Sequence, residues 1–278
     1  MLDQVAPLPA DAKLLIDARH CTFSSPYGFT ALLTLAQTRE VKPEFAPPID
    51  ENVISYWSRS NFLRYAEEFF TLNAAIPKPR AAGESDVLLE VTPIARNDDV
   101  HSVVERVKQR AQHILMSKLH LESRSVMGFA MTLSEACQNI VEHAGRGGWV
   151  AVQAYNMKKR IGRYGVVIAV CDGGVGFRRS LESGRGRPES DRWDDAIALE
   201  TALLYGTSRY HDPGRGQGLK GIRGYVTRLK GKVSVRSGTA RLSINIPAWD
   251  EDVPRKDGLA PFPGAQMQIL IPEADRAV

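Results

Sequence analysis

Cysteine is scarce in this chain of 278 residues, which contains only Cys21, Cys137 and Cys171. Their odd number and wide spacing suit neither a disulfide framework nor a zinc site. No run of apolar residues is long enough to span a bilayer, and the first residues lack the basic and apolar segments of a signal peptide. We therefore expect a cytoplasmic protein with reduced thiols and no membrane partner.

A strong charge of one sign is absent too. The 36 basic and 32 acidic residues give a net charge of +4, which does not indicate a nucleic-acid partner. The chain has no Gly-Lys-Ser or Gly-Lys-Thr sequence, and this excludes a Walker phosphate loop. Hydrophobic residues make up 43% and charged residues 24%, as in ordinary globular proteins. The length allows two modest domains, each with its own core.

Residues 1–97 predict a small α/β unit. Its expected elements are strands at 13–18 and 87–94, helices at 29–36 and 58–70, and a linker-like segment at 76–85. A polar segment at 96–100 marks the predicted boundary, so the second domain is expected to span residues 98–278.

A serine-rich turn separates the first strand from the first helix. The strand ends in Asp17, and Thr-Phe-Ser-Ser-Pro-Tyr-Gly follows at 22–28. This arrangement resembles a STAS domain, the small α/β module of anti-sigma-factor antagonists. The resemblance implies a regulatory domain in which Ser24 or Ser25 can be phosphorylated, although the Pro-Tyr pair departs from the family's Asp-Ser-Ser-Gly pattern. The alternative is that these serines only cap the helix.

The second domain is organised around a predicted helix at 132–144, which follows an amphipathic helix at 101–121. Glu135, Asn139 and His143 recur at intervals of four residues, which places them on one face of the helix. Two interpretations remain open from the helix alone. One is a solvated polar face, and the other is a ligand-facing edge with a magnesium ligand and a general base.

Two glycine motifs follow along the chain. A predicted strand at 166–171 runs into Asp172-Gly-Gly-Val-Gly-Phe, where a ligand can approach the backbone closely and Asp172 can accept a hydrogen bond from an exocyclic amine. A simple tight turn is the alternative. The second motif, at 211–220, places three glycines before a predicted helix at 219–230, an arrangement that favours an anion. Its alternative is a flexible surface loop.

In this order and spacing, the helix and the two glycine motifs resemble the nucleotide-binding domain of the GHKL superfamily of gyrase, heat-shock chaperone, histidine kinase and mismatch-repair ATPases. The helix, with Glu135, Asn139 and His143, is most similar to that of bacterial anti-sigma-factor serine kinases. The resemblance covers residues 100–272. It implies an α/β fold, a two-layer sandwich of a mixed sheet with helices on one face, preceded by the STAS-like domain.

The resemblance also implies a role for each motif in binding MgATP. Glu135 is then the general base, Asn139 coordinates Mg²⁺ through its amide oxygen, and Asp172 holds the adenine amine. Gly174 and Gly176 let the base lie against the backbone. The phosphate-binding set is the glycine loop with the start of its helix, namely Gly214, Arg215, Gly216, Gly218, Leu219 and Lys220.

Three further expectations accompany these roles. His143 is expected to pack rather than to catalyse. Residues 177–213, basic in their first half, are expected to form a loop that is mobile without nucleotide and closes over it as a lid. The family's late Gly-Thr pair, whose threonine lies near the adenine, corresponds either to Gly264-Ala265 or to 237–239.

The sequence thus predicts a MgATP-binding regulatory protein in a bacterial partner switch, acting as a protein serine kinase or ATPase. The expected partner is a protein, either a STAS-type antagonist or another regulator, and a homodimer is an open possibility. The alternative is a nucleotide-gated binding module with little turnover. Glu135 favours the enzyme, because a pure switch has less need of a base four residues before the magnesium ligand.

Overall fold

The structure is a computed structural model that describes Gln4 and residues 8–75, 87–117, 119–157, 162–184, 193–207 and 217–274. It is an α/β structure. Its helices are α1 (Pro26–Gln37), α2 (Glu51–Arg59), α3 (Phe62–Phe69), α4 (Asn97–Ser117), α5 (Ser123–Asn139), α6 (Gly176–Glu182), α7 (Asp195–Leu203) and α8 (Gln217–Arg228). Its strands are β1 (Leu15–Asp17), β2 (Glu44–Ala46), β3 (Thr71–Leu72), β4 (Val87–Ile94), β5 (Gly148–Asn156), β6 (Tyr164–Asp172), β7 (Lys232–Gly238), β8 (Ala240–Ile244), β9 (Arg255–Lys256) and β10 (Phe262–Pro272).

The large sheet has seven strands in the order β4-β5-β6-β10-β7-β8-β9. Each neighbouring pair is antiparallel, so the expected mixed sheet is wrong. The connections explain this, because β5 and β6, like β7 and β8, are separated by too few residues for the long crossover that a parallel pair needs. The parallel pairings belong to a separate three-stranded sheet in the order β1-β2-β3.

One face of the large sheet carries the main hydrophobic core. Alternate residues of its strands, such as Val150 on β5 and Ile168 on β6, point to this face because side chains alternate along a strand. Buried residues of α4, α5, α7 and α8 pack on them, among them Leu133 and Leu199. This layer accounts for the amphipathic pattern of the helices after residue 97.

The opposite face is covered as well, by the N-terminal part of the chain. Trp149 of β5 and Cys171 of β6 share a second core cluster with Phe29 of α1 and Phe62 of α3. The Trp149 indole N–H donates a hydrogen bond to Gln37 Oε1 at 3.0 Å. The sheet therefore has helices on both faces, whereas the sequence predicted them on one.

Strand β4 lies in a different part of the structure from the one predicted. The sequence placed it in the first unit, but it pairs with β5 along the edge of the large sheet. The division of the chain into two domains between residues 97 and 98 stays a prediction. The hydrogen bonds of β4 with β5 place this strand in the larger sheet. The predicted linker at 76–85 lies outside the described residues.

Two predicted helices differ in detail. The expected helix at 58–70 is two helices, α2 and α3, because Asn61 between them adopts a left-handed conformation with φ of 64°. The expected helix at 132–144 starts earlier, at Ser123, and changes after Asn139 into a π-helical turn, Ile140–Ala144. Gly145, with φ of 68°, ends it.

The other elements that surround the site lie close to their predicted positions. Strand β6 and helices α4 and α8 each begin within about four residues of the predicted start. The segment at 248–264 contains β9 and the beginning of β10. None of the helices in the described ranges is both long and apolar enough to cross a membrane.

Candidate functional site

Asp172 ends strand β6 as a buried carboxylate that is 8% exposed. Its Oδ1 accepts a hydrogen bond from the backbone N–H of Gly174 at 2.8 Å, and the Ala265 N–H also donates to the carboxylate. Burial raises the pKa of Asp172 to about 6, against the opposing effect of these two backbone donors. The carboxylate has no cationic partner among the described residues, so it keeps acceptor capacity for a ligand.

The turn after Asp172 requires glycine for close approach. A Cβ atom at Gly174 would overlap the backbone of Ala144, the last residue of the π-helical turn, and the Val175 N–H donates to the Ala144 carbonyl at 3.3 Å. Gly176 has a φ of 73°, in the region that glycine favours. The Asp-Gly-Gly-Val-Gly sequence is therefore a tight turn packed directly on the end of the predicted site helix.

Of the two segments expected near the adenine, only one lies beside Asp172 in the described structure. Gly264, with φ of 68°, lies against Asp172 so closely that a Cβ atom there would overlap the Asp172 backbone, and Ala265 donates to the Asp172 carboxylate. Thr239 lies elsewhere, since its N–H and its hydroxyl both donate to Asp195 Oδ2, at 2.9 and 2.8 Å. The position beside Asp172 therefore belongs to Gly264-Ala265.

Ser237 is a site residue whose own role the sequence did not single out. Its hydroxyl accepts a hydrogen bond from the Phe177 N–H at 3.1 Å and donates to the Gly264 carbonyl at 2.9 Å. It thereby ties the start of α6 to the segment beside Asp172. The sequence placed it only as part of 237–239, because its contact depends on the register of β7 against β10.

Glu135 lies against the first turn of α8. A Cβ atom at Gly218 would overlap Glu135 Oε2, so the carboxylate occupies the space that this glycine leaves open. Partial burial raises the pKa of Glu135, and the nearby charge of Glu142 adds to the effect. The structure thus brings together the predicted general base and the described end of the predicted phosphate loop.

Asn139 is the last residue of α5, one helical turn beyond Glu135. Its Nδ2 is buried and has no hydrogen-bond partner within the described part of the chain. His143 does not extend the same regular face, because the π-helical turn changes the helical period after Asn139. Its Nδ1 lies 3.5 Å from Ser180 Oγ on α6 and its Nε2 lies 3.9 Å from Glu142 Oε2, and its packing role stays a prediction.

The predicted phosphate-binding set is described in part. Gly214, Arg215 and Gly216 lie outside the described residues. Gly218, Leu219 and Lys220 form the first turn of α8, where Lys220 is exposed. Leu219 packs against the core, so its role in the described structure is hydrophobic packing.

The predicted lid at 177–213 is not a continuous loop. Helices α6 and α7 lie within this span, and Leu181, Trp193 and Ala198 form a small hydrophobic cluster between them. The Trp193 indole N–H also donates to Glu182 Oε1 at 2.8 Å. The prediction of a loop was based on the basic residues of this span. It is wrong because these apolar side chains pack together and stabilise helices there. Residues 185–192 and 208–213 of the proposed lid lie outside the described residues.

The two candidate phosphoacceptor serines are both engaged at the start of α1. Ser25 is the N-cap residue, and its hydroxyl accepts a hydrogen bond from the Gly28 N–H at 3.2 Å. Ser24 is buried, with its hydroxyl 3.4 Å from the Ser25 carbonyl. The capping role is therefore present in the structure, and phosphorylation of either serine stays a prediction.

A polar concavity of about 400 Å³ lies apart from this site, under the 248–252 segment. It contains none of the predicted site residues. Its charged groups pair with one another, since Lys232 Nζ lies 2.7 Å from both Asp250 Oδ2 and Asp252 Oδ2, and Arg241 also pairs with Asp252. These ion pairs hold the segment on the sheet.

Helix α5 and its π-helical turn connect the separate parts of the candidate site. Glu135 meets α8, and Ala144 meets the Asp172 turn, roughly 13 Å further along the helix at about 1.5 Å per residue. The surface of α5 between these two contacts has the buried Asp172 carboxylate, a hydrogen-bond acceptor, at one end. The N-terminus of α8 lies at the other end. No family model, curated protein or solved structure matches this chain.

Proposed function

We propose that the chain is a MgATP-binding regulatory protein of the GHKL type, acting as a protein serine kinase or ATPase like the anti-sigma-factor kinases. The observation that carries this proposal is the buried Asp172 carboxylate, held by the backbone N–H groups of Gly174 and Ala265 beside three close-packed glycines. Such a carboxylate is suited to accepting a hydrogen bond from the amine of adenine. Guanine carries an acceptor oxygen at the corresponding position and would be repelled.

The other end of the site supports binding of phosphates. The N-terminal turn of α8, with Gly218 and the exposed Lys220, provides the positive end of a helix dipole and a positive charge. A nucleotide whose adenine lies at Asp172 and whose ribose follows α5 would place its phosphates at this turn. The proposed order of the ligand is therefore adenine at Asp172, ribose along the helix, and phosphates at α8.

The residues present fit Mg²⁺ bound together with phosphates. Within the described ranges no cluster of three or more His, Cys, Asp and Glu side chains could hold a metal ion alone. Mg²⁺ commonly keeps several waters and takes one or two protein ligands together with substrate phosphates. Asn139, one helical turn beyond Glu135, would contribute its amide oxygen as such a ligand.

Glu135 supports phosphoryl transfer or hydrolysis over binding alone. MgATP supplies the γ-phosphoryl group, and the Glu135 carboxylate lies at the helix turn proposed to hold the phosphates. Its raised pKa favours a base that can accept a proton from water or from a serine hydroxyl. The protein partner that carries such a serine would be a STAS-type antagonist or another regulator.

A nucleotide-gated module is the second candidate, and one observation favours it. The N-terminal helix α1 packs against Gly173, directly beside Asp172, so the proposed adenine pocket is in contact with the proposed regulatory unit. In this candidate the nucleotide alters that contact and little ATP is turned over.

Incubation of the full chain with γ-labelled ATP and Mg²⁺ distinguishes the two candidates. Released labelled phosphate indicates an ATPase, and label on the chain or on an added protein indicates a kinase. Binding without either product favours the gated module. Asp98→Asn, a change at an exposed acid, is the matched control for Asp172→Asn. Equal ATP binding by these two variants would contradict the proposed site.

A further inference from the structure

Helix α1 and its C-cap residue, Thr38, present a stripe of threonines to the end of β6. Thr30, Thr34 and Thr38 are spaced four residues apart, and Thr30 and Thr34 are completely buried. The Thr30 hydroxyl lies 3.1 Å from Cys171 Sγ. A Cβ atom at Gly173 would lie 2.5 Å from the Thr38 methyl and 3.7 Å from the Thr34 methyl. The stripe therefore contacts the residues on both sides of Asp172.

The glycine at position 173 makes this contact unusually direct. Because it has no side chain, the threonine methyls lie close to the backbone of the Asp172 turn itself. Gly174, the next residue, is pressed against Ala144 from the other face of the sheet. The turn is thus held between two helical elements, α1 on one side and the end of the π-helical turn on the other.

The position of α1 is fixed by the rest of the N-terminal unit. Phe29 is buried in the cluster that also contains Trp57 and Phe62, with ring centroids 5.1 Å apart in both pairs. The hydrogen bond from Trp149 to Gln37 adds a polar contact close to Thr38. A displacement of this unit would therefore move the threonine stripe relative to Asp172.

We propose that Thr34 and Thr38 are positioning residues for the adenine pocket, through which the N-terminal unit controls the affinity for ATP. This inference rests on the proposed function. Coupling of this kind is reciprocal, so bound ATP must strengthen the docking of α1 to the same extent that docked α1 strengthens ATP binding.

A double-mutant cycle at the contact tests the inference. Gly173→Ala places a methyl group against Thr38, and Thr38→Ala removes the methyl that it meets. We expect Gly173→Ala to weaken ATP binding by about tenfold, within the range for directly coupled neighbours, and the double variant to recover most of that loss. Gly224→Ala is the matched control, because a Cβ atom there has no neighbour within 4 Å. Calorimetric titration gives the affinities and thermal unfolding reports on the fold.

The outcomes separate this inference from the proposed function. If the wild-type chain binds no ATP, both are overturned. If it binds ATP and Gly173→Ala binds equally well, or if the double variant shows no recovery, the inference alone is overturned.

Amide exchange provides a readout that does not depend on any variant. With ATP, we expect slower exchange across residues 30–37 of α1 and unchanged exchange in α2, which lies in the same unit without touching Gly173. Unchanged exchange in α1 at saturating ATP would overturn the inference, because reciprocal coupling requires the slowing.

Discussion

At the scale of single residues, the Asp172 carboxylate is kept in a buried position that costs free energy when it is ionised. Burial raises the pKa of Asp172 to about 6, so its ionised form at neutral pH lowers the stability of the empty protein. Side chains that serve only folding are rarely arranged in this way, and perturbed carboxylates are common at functional sites. We therefore make two separate predictions for Asp172, one for the affinity for ATP and one for the pH dependence of folding stability.

The first prediction concerns ATP. Asp172→Asn should weaken binding by about 1–3 kcal/mol, the range for losing the acceptor of a charged hydrogen bond. Calorimetric titration of the variant and of Asp98→Asn at the same pH and salt measures the difference. A loss of affinity shared by both variants would assign the effect to overall charge.

The second prediction concerns pH. The folded state holds the Asp172 proton up to about pH 6, whereas the unfolded state releases it near the ordinary value of 3.8. The contribution of this group to stability is therefore full below about pH 4 and is lost as the pH rises through 6. The loss is roughly 3 kcal/mol at 1.36 kcal/mol per pKa unit. Urea unfolding of wild type and Asp172→Asn at pH 4 and 7 should show this difference, and parallel pH profiles would contradict it.

A third prediction separates Glu135 from Asn139. Glu135→Gln should bind MgATP almost normally and lose roughly a hundredfold or more in turnover, as expected for a missing general base. Asn139→Ala should instead lose the dependence of binding on Mg²⁺. Titrations with and without Mg²⁺, combined with phosphate release, measure both effects. Equal losses of affinity with unchanged turnover per bound nucleotide would show that the roles are wrongly assigned.

At the scale of elements, the site is held together by close contacts that glycine permits. Gly174 meets the carbonyl end of the π-helical turn, and Gly218 meets Glu135. Both contacts join α5 to an element that is distant in the sequence. Helix α5 and its π-helical turn thus form the common support of the two ends of the proposed nucleotide.

Gly174→Ala tests this arrangement through stability. The new Cβ would overlap backbone atoms of Ala144, which cannot move aside as a flexible side chain can. We expect a loss of roughly 1–3 kcal/mol, the range for overpacking. Gly221→Ala in α8, where a Cβ has no neighbour within 4 Å, should gain about 0.5–1 kcal/mol as alanine replaces glycine in a helix. Chemical unfolding measures both, and equal effects would contradict the contact with Ala144.

At the scale of the whole molecule, the N-terminal unit and the large sheet share a hydrophobic core. Phe29 and Phe62 pack with Trp149 and Cys171 across the second face of the sheet, and β4 forms one of its edges. A fragment of residues 98–278 would lack β4 and the N-terminal unit. The second face of its large sheet would be exposed to solvent. We expect it to aggregate or bind a hydrophobic dye, while the full chain unfolds in one transition. A monomeric fragment with native-like stability would contradict this.

The sequence predicted the local elements around the site well because their signals are local. The apolar run of β6 ending in Asp172 and the glycines before α8 can be identified without tertiary information. The antiparallel order of the sheet, the place of β4 and the helices on both faces depend on which strands pair, and periodicity carries no such information. The π-helical turn after Asn139 and the contact of Ser237 with Gly264 were missed for the same reason.

The most direct test of the central claim is calorimetric titration of the full chain with ATP, GTP and ADP in the presence of Mg²⁺. We expect binding of ATP, much weaker binding of GTP, and a loss of ATP affinity in Asp172→Asn that Asp98→Asn does not show. Absence of heat with ATP, or equal affinity for ATP and GTP in the wild-type chain, would contradict an adenine site at Asp172.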